Sequence, residues 1–180
     1  MAGPPAAPRA GVAVSGPDVL LATKLHLPHL RQGFVPRPRL VQALSDGLAR
    51  GEVFLCAPAG FGKTALLAEW VQGSRYPVAW LCLDAGDSDP ARFWRYALAA
   101  LDRTRPGLAE RLGPLFGPPP PLSFEGLVTA LINELAAQPG GDEVALVLDD
   151  YHLIEPGAVH GSVAFLLEHL PPGRGCLKRR

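Results

Sequence analysis

Neither sign of charge is in excess. Seventeen lysines and arginines face seventeen aspartates and glutamates. The overall field therefore draws the chain neither to nucleic acid nor to an anionic membrane, which argues against a strongly basic nucleic-acid binder. No apolar run approaches the ~18 residues of a membrane-spanning helix. The opening MAGPPAAPRAGVAVSG is broken by proline and glycine where a signal peptide needs a continuous apolar region. Cysteine is scarce: Cys56, Cys82 and Cys176 form an odd set with no C-x-x-C and no histidine at zinc-ligand spacing. That excludes a disulfide framework and a metal knuckle. Together these absences predict a soluble, cytoplasmic protein in reducing surroundings, with no membrane contact. At 180 residues and 19.1 kDa there is room for one domain.

Glycine and proline are plentiful, at 20 each, and they are localised. Residues 1–18 are Ala/Pro/Gly-rich and lack aromatic residues and hydrophobic periodicity, so they are expected to form a disordered tail. A folded domain is expected over 19–173, followed by a basic tail over 174–180 with Arg174, Lys178, Arg179 and Arg180. Within the domain, Pro38 is a natural first helical residue for a helix carrying Leu40, Val41, Leu44 and Leu48, with Gly51 as its C-cap. VFLC (53–56) is too short for a helix and reads as a strand buried on both faces. TALLAEWVQG (64–73) reads as a helix, PVAWLCLD as a second buried strand, and Asp89-Pro90 as the cap and first turn of a helix reaching about Arg103. Residues 106–122 read as a loop or partly helical excursion. Ser123 caps a helix whose Leu127, Leu131, Ile132 and Leu135 share a face, EVALVLDD is a third strand, and a last helix spans about 158–170. Strands alternating with helices predict an α/β fold with a parallel sheet.

The sharpest chemical feature is Ala57-Pro58-Ala59-Gly60-Phe61-Gly62-Lys63-Thr64, after a predicted strand and opening a predicted helix. Phosphate oxygens need converging backbone N–H groups, hence glycines at close approach, and a helix N-terminus whose dipole favours negative charge. Gly60 and Gly62 meet that need within a cofactor loop running from Ala59 to Ala65 through Phe61. Lys63 reaches the outer phosphates and Thr64 is placed to ligate magnesium. Ala57 stands where the usual pattern begins with glycine. The strand ending in Asp149-Asp150 looks like a Walker B strand, with Asp149 as the magnesium residue and Asp150 as the catalytic group that polarises attacking water. Trp80, Trp94 and Tyr96 are expected in the core, and Cys56 and Cys82 as small apolar residues within strands. His26, His29, His152, His160 and His169 have neither metal spacing nor a paired nucleophile and receive no role.

The segments LLATKLHLP, FVPRPRL, CAPAGFGKTALLAEW, PVAWLCLDAGDSDPARFWRYALAAL and VLDDYHLIEPGAVHGSVAFLLEHLPPG resemble the N-terminal ATPase module of the MalT-like, LuxR-type ATP-binding regulators, members of the STAND class of P-loop NTPases. The resemblance covers about residues 20–173 and accommodates Ala57. It implies a three-layer P-loop NTPase-type parallel sheet. It further implies ATP or ADP with magnesium as ligands, an adenine pocket touched by Val35, Pro36 and Arg37, and a nucleotide-dependent switch with weak or no hydrolysis. Self-association is implied for full-length members, and no direct DNA contact for this chain. Family members continue past LPPG into an Arg-containing sensor strand and a further strand, where this sequence reads GRGCLKRR. The expected sheet is therefore incomplete at its C-terminal end, leaving the strands of 53–56 and 144–149 with open edges or paired directly. Two rival readings stand beside it. One is a complete small P-loop kinase with Asp84–Asp89 or GPPPPL as a lid and Arg92 and Arg95 as acceptor-binding groups. The other is a non-catalytic remnant or interaction module.

Overall fold

The computed structural model describes residues 20–30, 33–58, 60–116, 123–137, 144–170 and 176–179. The predicted N-terminal tail, Ala59, the GPPPPL stretch and the Pro139-Gly140-Gly141 break lie outside the described residues. Among those described are six α-helices, α1 (Pro38–Leu48), α2 (Lys63–Gly73), α3 (Pro90–Asp102), α4 (Leu108–Leu112), α5 (Phe124–Ala136) and α6 (Ala158–His169). They alternate with strands β1 (Glu52–Leu55), β2 (Val78–Cys82), β3 (Ala145–Asp149) and β4 (Cys176–Arg179). The four strands form one parallel sheet in the order β1-β4-β3-β2. The class is α/β, as the alternation predicts.

Local signals place the helix ends. Pro38 and Pro90 occupy first-turn positions, where their missing N–H is no loss. The Asp89 carboxylate accepts from the Arg92 N–H at 2.8 Å, and the Ser123 hydroxyl from the Gly126 N–H at 3.2 Å. α1 ends at Leu48, and Gly51 follows two residues past the Ala49 cap with φ of 128°. The 106–122 excursion contains α4 and a 3-10 turn, Gly113–Phe116.

β3 feeds two cores by simple alternation. Leu146 and Leu148 point into a cluster built on Phe93, Trp94, Leu101, Leu131 and Val163 from α3, α5 and α6. Ala145 and Val147 point the opposite way, into a smaller cluster of Leu44, Leu48, Leu66, Leu67 and Trp70 from α1 and α2. Trp80, Trp94 and Tyr96 are buried as expected.

Two expectations are corrected. β1 is not buried on both faces: Glu52 and Phe54 are exposed, and only Val53 and Leu55 pack against the smaller core. Cys56 follows the strand and is likewise exposed, so it is not a packed apolar residue. An apolar run reads the same whether helices cover one face of it or two, and this accounts for the misreading. The second correction concerns the sheet. The edges expected to stay open between β1 and β3 are filled by β4, drawn from the basic run read as a tail. Glu52 pairs with Cys176 and Leu55 with Arg179 on one side, and Leu146 pairs with Cys176 on the other.

Candidate nucleotide-binding site

The loop after β1 is shaped by two left-handed glycines. Gly60 (φ 82°) and Gly62 (φ 74°) adopt angles that cost other L-residues about 1–2 kcal/mol. Between them the Phe61 N–H reaches the Pro58 carbonyl at 3.4 Å, and the Phe61 ring is exposed. Gly62 is the N-cap of α2, and no side chain caps that terminus. The first-turn N–H groups and the positive end of the helix dipole are thus left to an anion. Lys63 folds back over the loop, its Nζ donating to the carbonyls of Ala57 at 2.5 Å and Pro58 at 3.0 Å. The cation is held at the loop mouth by weak neutral acceptors, which a phosphate oxygen can outbid.

Arg37 fastens the preceding segment to this loop. Its backbone N–H donates to both Glu69 carboxylate oxygens at 3.0 Å, and its Nη1 donates to the Phe61 carbonyl at 2.9 Å. A side chain at Gly62 would come within 3.1 Å of the Arg37 guanidinium. A cavity of about 640 Å³ opens beside α2, with Thr64 and Ala65 on one wall and Pro28, His29, Leu30 and Phe34 on the other. Val35, Pro36 and Arg37 are not among its lining residues, and Val35 is 75% exposed.

At the C-terminal end of β3, Asp149 is buried and Asp150 turns into the left-handed region at φ 58°. An aspartate tolerates that region better than most side chains. The Asp150 N–H donates to Asp149 Oδ1 at 3.0 Å, and the Leu83 N–H to the Asp149 carbonyl at 2.9 Å. His152 Nδ1 stands 4.0 Å from Asp150 Oδ1. Among the described residues, Cys82, Asp149 and Asp150 bring one donor atom each within 4.8 Å of one another. A hard cation such as magnesium takes oxygen donors, so the two carboxylates fit it and the Cys82 thiol does not. The uncapped α2 terminus and the Lys63 ammonium likewise fit a phosphate group.

No protein-family model matches the chain. It is, however, 34% identical over 153 residues to the HTH-type transcriptional regulator MalT of Cronobacter sakazakii, an alignment covering 85% of this chain and 17% of that protein. The MalT regulators of Yersinia enterocolitica and Vibrio cholerae are 35% and 30% identical, over 85% and 84% of the chain and 17% and 16% of their own lengths. The chain matches the N-terminal region of the MalT-like regulators. It spans about one sixth of the relatives it matches.

In this MalT-like region a second polar cluster, not visible in the sequence, fixes the surroundings of the site. Asp87 is fully buried and accepts from Lys24 Nζ and, at 3.0 Å, from Arg92 Nε. Lys24 also pairs with Asp84 at 2.7 Å and lies over the Tyr96 ring, and the Tyr96 hydroxyl accepts from the Leu21 N–H at 3.0 Å. Burial, the largest single influence on Lys24, pulls its pKa down, but Asp84 and Asp87 together outweigh it and the net shift is upward. The Lys24 hydrogen bond holds the Asp84 carboxyl below its ordinary range, against a smaller opposing effect of desolvation. This cluster pins the loop after β2, with Arg92 Nε held by Asp87. Lys24 and Asp87 are 63 residues apart, and neither sits in a pattern that announces the other. The wall of Pro28, His29, Leu30 and Phe34 carries no sequence signal for the same reason. Among the described residues no helix is long and apolar enough to cross a membrane.

Proposed function

We propose that this chain is the ATP- and magnesium-binding part of a MalT-like transcriptional regulator, working as a nucleotide-dependent switch with weak or no hydrolysis. The observation that carries the reading is the uncapped N-terminus of α2, entered through left-handed Gly60 and Gly62 with Lys63 held over the loop. On this reading Ala59 to Ala65 wrap the phosphates and Lys63 contacts the outer ones. Thr64 and Asp149 hold magnesium, and Asp150 polarises water. Val35, Pro36 and Arg37 approach the adenine, with Pro28, His29, Leu30 and Phe34 forming the wall that faces Thr64. The chain works in the cytoplasm with ATP and ADP as its small-molecule partners and makes no DNA contact of its own; self-association belongs to the longer protein.

The test is a thermal melt of the chain titrated with ATP and magnesium. At about a hundredfold excess over Kd, binding contributes about 2.7 kcal/mol, or roughly 5–10 °C for a chain of this size. Lys63→Ala should abolish that rise while leaving the unliganded melting temperature nearly unchanged. A rise that ignores magnesium, or that survives in Lys63→Ala, would sink the reading.

A further inference from the structure

A second cavity, of about 570 Å³, lies between the 25–29 segment, the outer edge of β2 and the C-terminal end of α3. Among the described residues β2 pairs only with β3, and its other edge is flanked by the segment around Ala22–Leu25. Its accessible apolar lining comes from Leu25, Leu27 and Val78, with the buried Trp80 and Ala100 behind them. The rim is exposed and carries His26, His29 and Arg103, and among the described residues no carboxylate lines the cavity. Arg103 Nη1 donates to the Leu25 carbonyl at 2.8 Å, which orients the guanidinium at the rim and leaves most of its five donors for other acceptors. The nearest acid along α3, Asp102, is turned away and accepts from the Ala109 N–H at 2.8 Å. The carbonyls at the end of α3 are occupied as well: Leu101 accepts from the Thr104 hydroxyl at 2.8 Å and from the Arg105 N–H at 2.9 Å.

We propose that this cavity is a binding site for a small carboxylate carried on an apolar, ring-sized body. Its volume falls in the range that holds such ligands, and apolar walls with a few convergent polar groups are the usual composition of a ligand pocket. The guanidinium fork matches a planar carboxylate, the two imidazoles supply further N–H donors, and Leu25, Leu27 and Val78 take the apolar body. The cavity shares His29 with the one beside α2 but has none of the residues of the loop or of α2 in its lining.

Phenylacetate is the probe, with phenylacetamide as its uncharged counterpart. Both are titrated into the isotope-labelled chain without nucleotide, while NMR follows the His26, His29 and Trp80 side-chain signals. Phenylacetate should move these signals saturably. Arg103→Gln should weaken binding about tenfold, the loss of one charge-assisted pair, and phenylacetamide should bind weakly or not at all. Because Arg103 also holds the Leu25 carbonyl, His26→Ala serves as a second variant and should weaken binding with signals outside the cavity unmoved. No saturable shift, equal affinity for the amide, or full affinity in both variants would overturn the proposal. None of these outcomes bears on the nucleotide reading, which is tested with a different ligand.

Discussion

β1 and β3 are both short, largely apolar and parallel to β4, yet every residue of β3 is buried whereas Glu52 and Phe54 on β1 face solvent. β3 has helices against both faces and belongs to two cores; β1 has α1 and α2 against one face only among the described residues. The phosphate-type loop leaves from the thinly covered strand, and the acidic pair leaves from the deeply buried one. Elements that must accommodate a ligand are drawn from the less stable parts of a fold, while charges that must stay fixed are anchored in its densest part. A site assembled across both has one adaptable wall and one rigid one.

The largest effect that could break this contrast comes from truncating one apolar residue on each side. Leu148→Ala, in the larger core, should lower the unfolding free energy by about 2–5 kcal/mol. Phe54→Ala, at a residue 58% exposed, should change it by under about 0.5 kcal/mol. Urea denaturation of the two variants measures both, and equal losses would mean that β1 is covered as well as β3. Next in size is Gly47→Ala, where α1 crosses β1. An added methyl group would sit 2.5 Å from Val53 Cγ2. Overpacking of this kind costs about 1–3 kcal/mol, and the better helix propensity of alanine returns about 1 kcal/mol. A net loss near 1 kcal/mol is therefore expected, and a stabilised variant would show that the thin side yields freely.

The smallest effect sharpens the comparison through pH. Asp84 has its carboxyl depressed by Lys24, so its contribution is present above the ordinary value of 3.8 and is lost as pH falls through the lower folded value. Lys24 has its pKa raised, so its share is present below 10.5 and lost only as pH rises through the higher folded value. Stability measured at neutral pH should fall in Asp84→Asn, and the gap to the parent chain should close below 3.8. The gap should be modest, because the Asp84 side chain is half exposed and its ion pair is screened. A gap that persists into acid would assign the loss to packing instead.

What could be read from the sequence divides along the same physical line. Asp89-Pro90, Ser123 and Pro38 were legible because a cap is satisfied within a few residues, and the glycines of the loop because a left-handed angle is a property of one residue. The continuous apolar run in EVALVLDD marks a buried strand ending in two acids. Other features depended on distant partners. The burial of β1 depends on which helices cover it, and Pro28, His29, Leu30 and Phe34 become a cavity wall only where they face α2. The salt-bridged cluster of Lys24, Asp84, Asp87 and Arg92 joins two segments about 60 residues apart in sequence. Cys176–Arg179 has no strand pattern of its own; it becomes β4 because the groove between β1 and β3 offers two rows of backbone partners.

That last placement governs the order in which the chain can assemble. Glu52 and its sheet neighbour Cys176 are about 120 residues apart in sequence. During synthesis, at about 5–20 residues per second, β1 and the phosphate loop would wait on the order of ten seconds for the strand that joins them to the rest of the sheet. Contacts so distant are also slow to form. The half of the molecule proposed to hold the nucleotide is thus the last to be locked in place, and through that interval a newly made chain would offer β1 to chaperones or to other strands before it could offer its site to ATP.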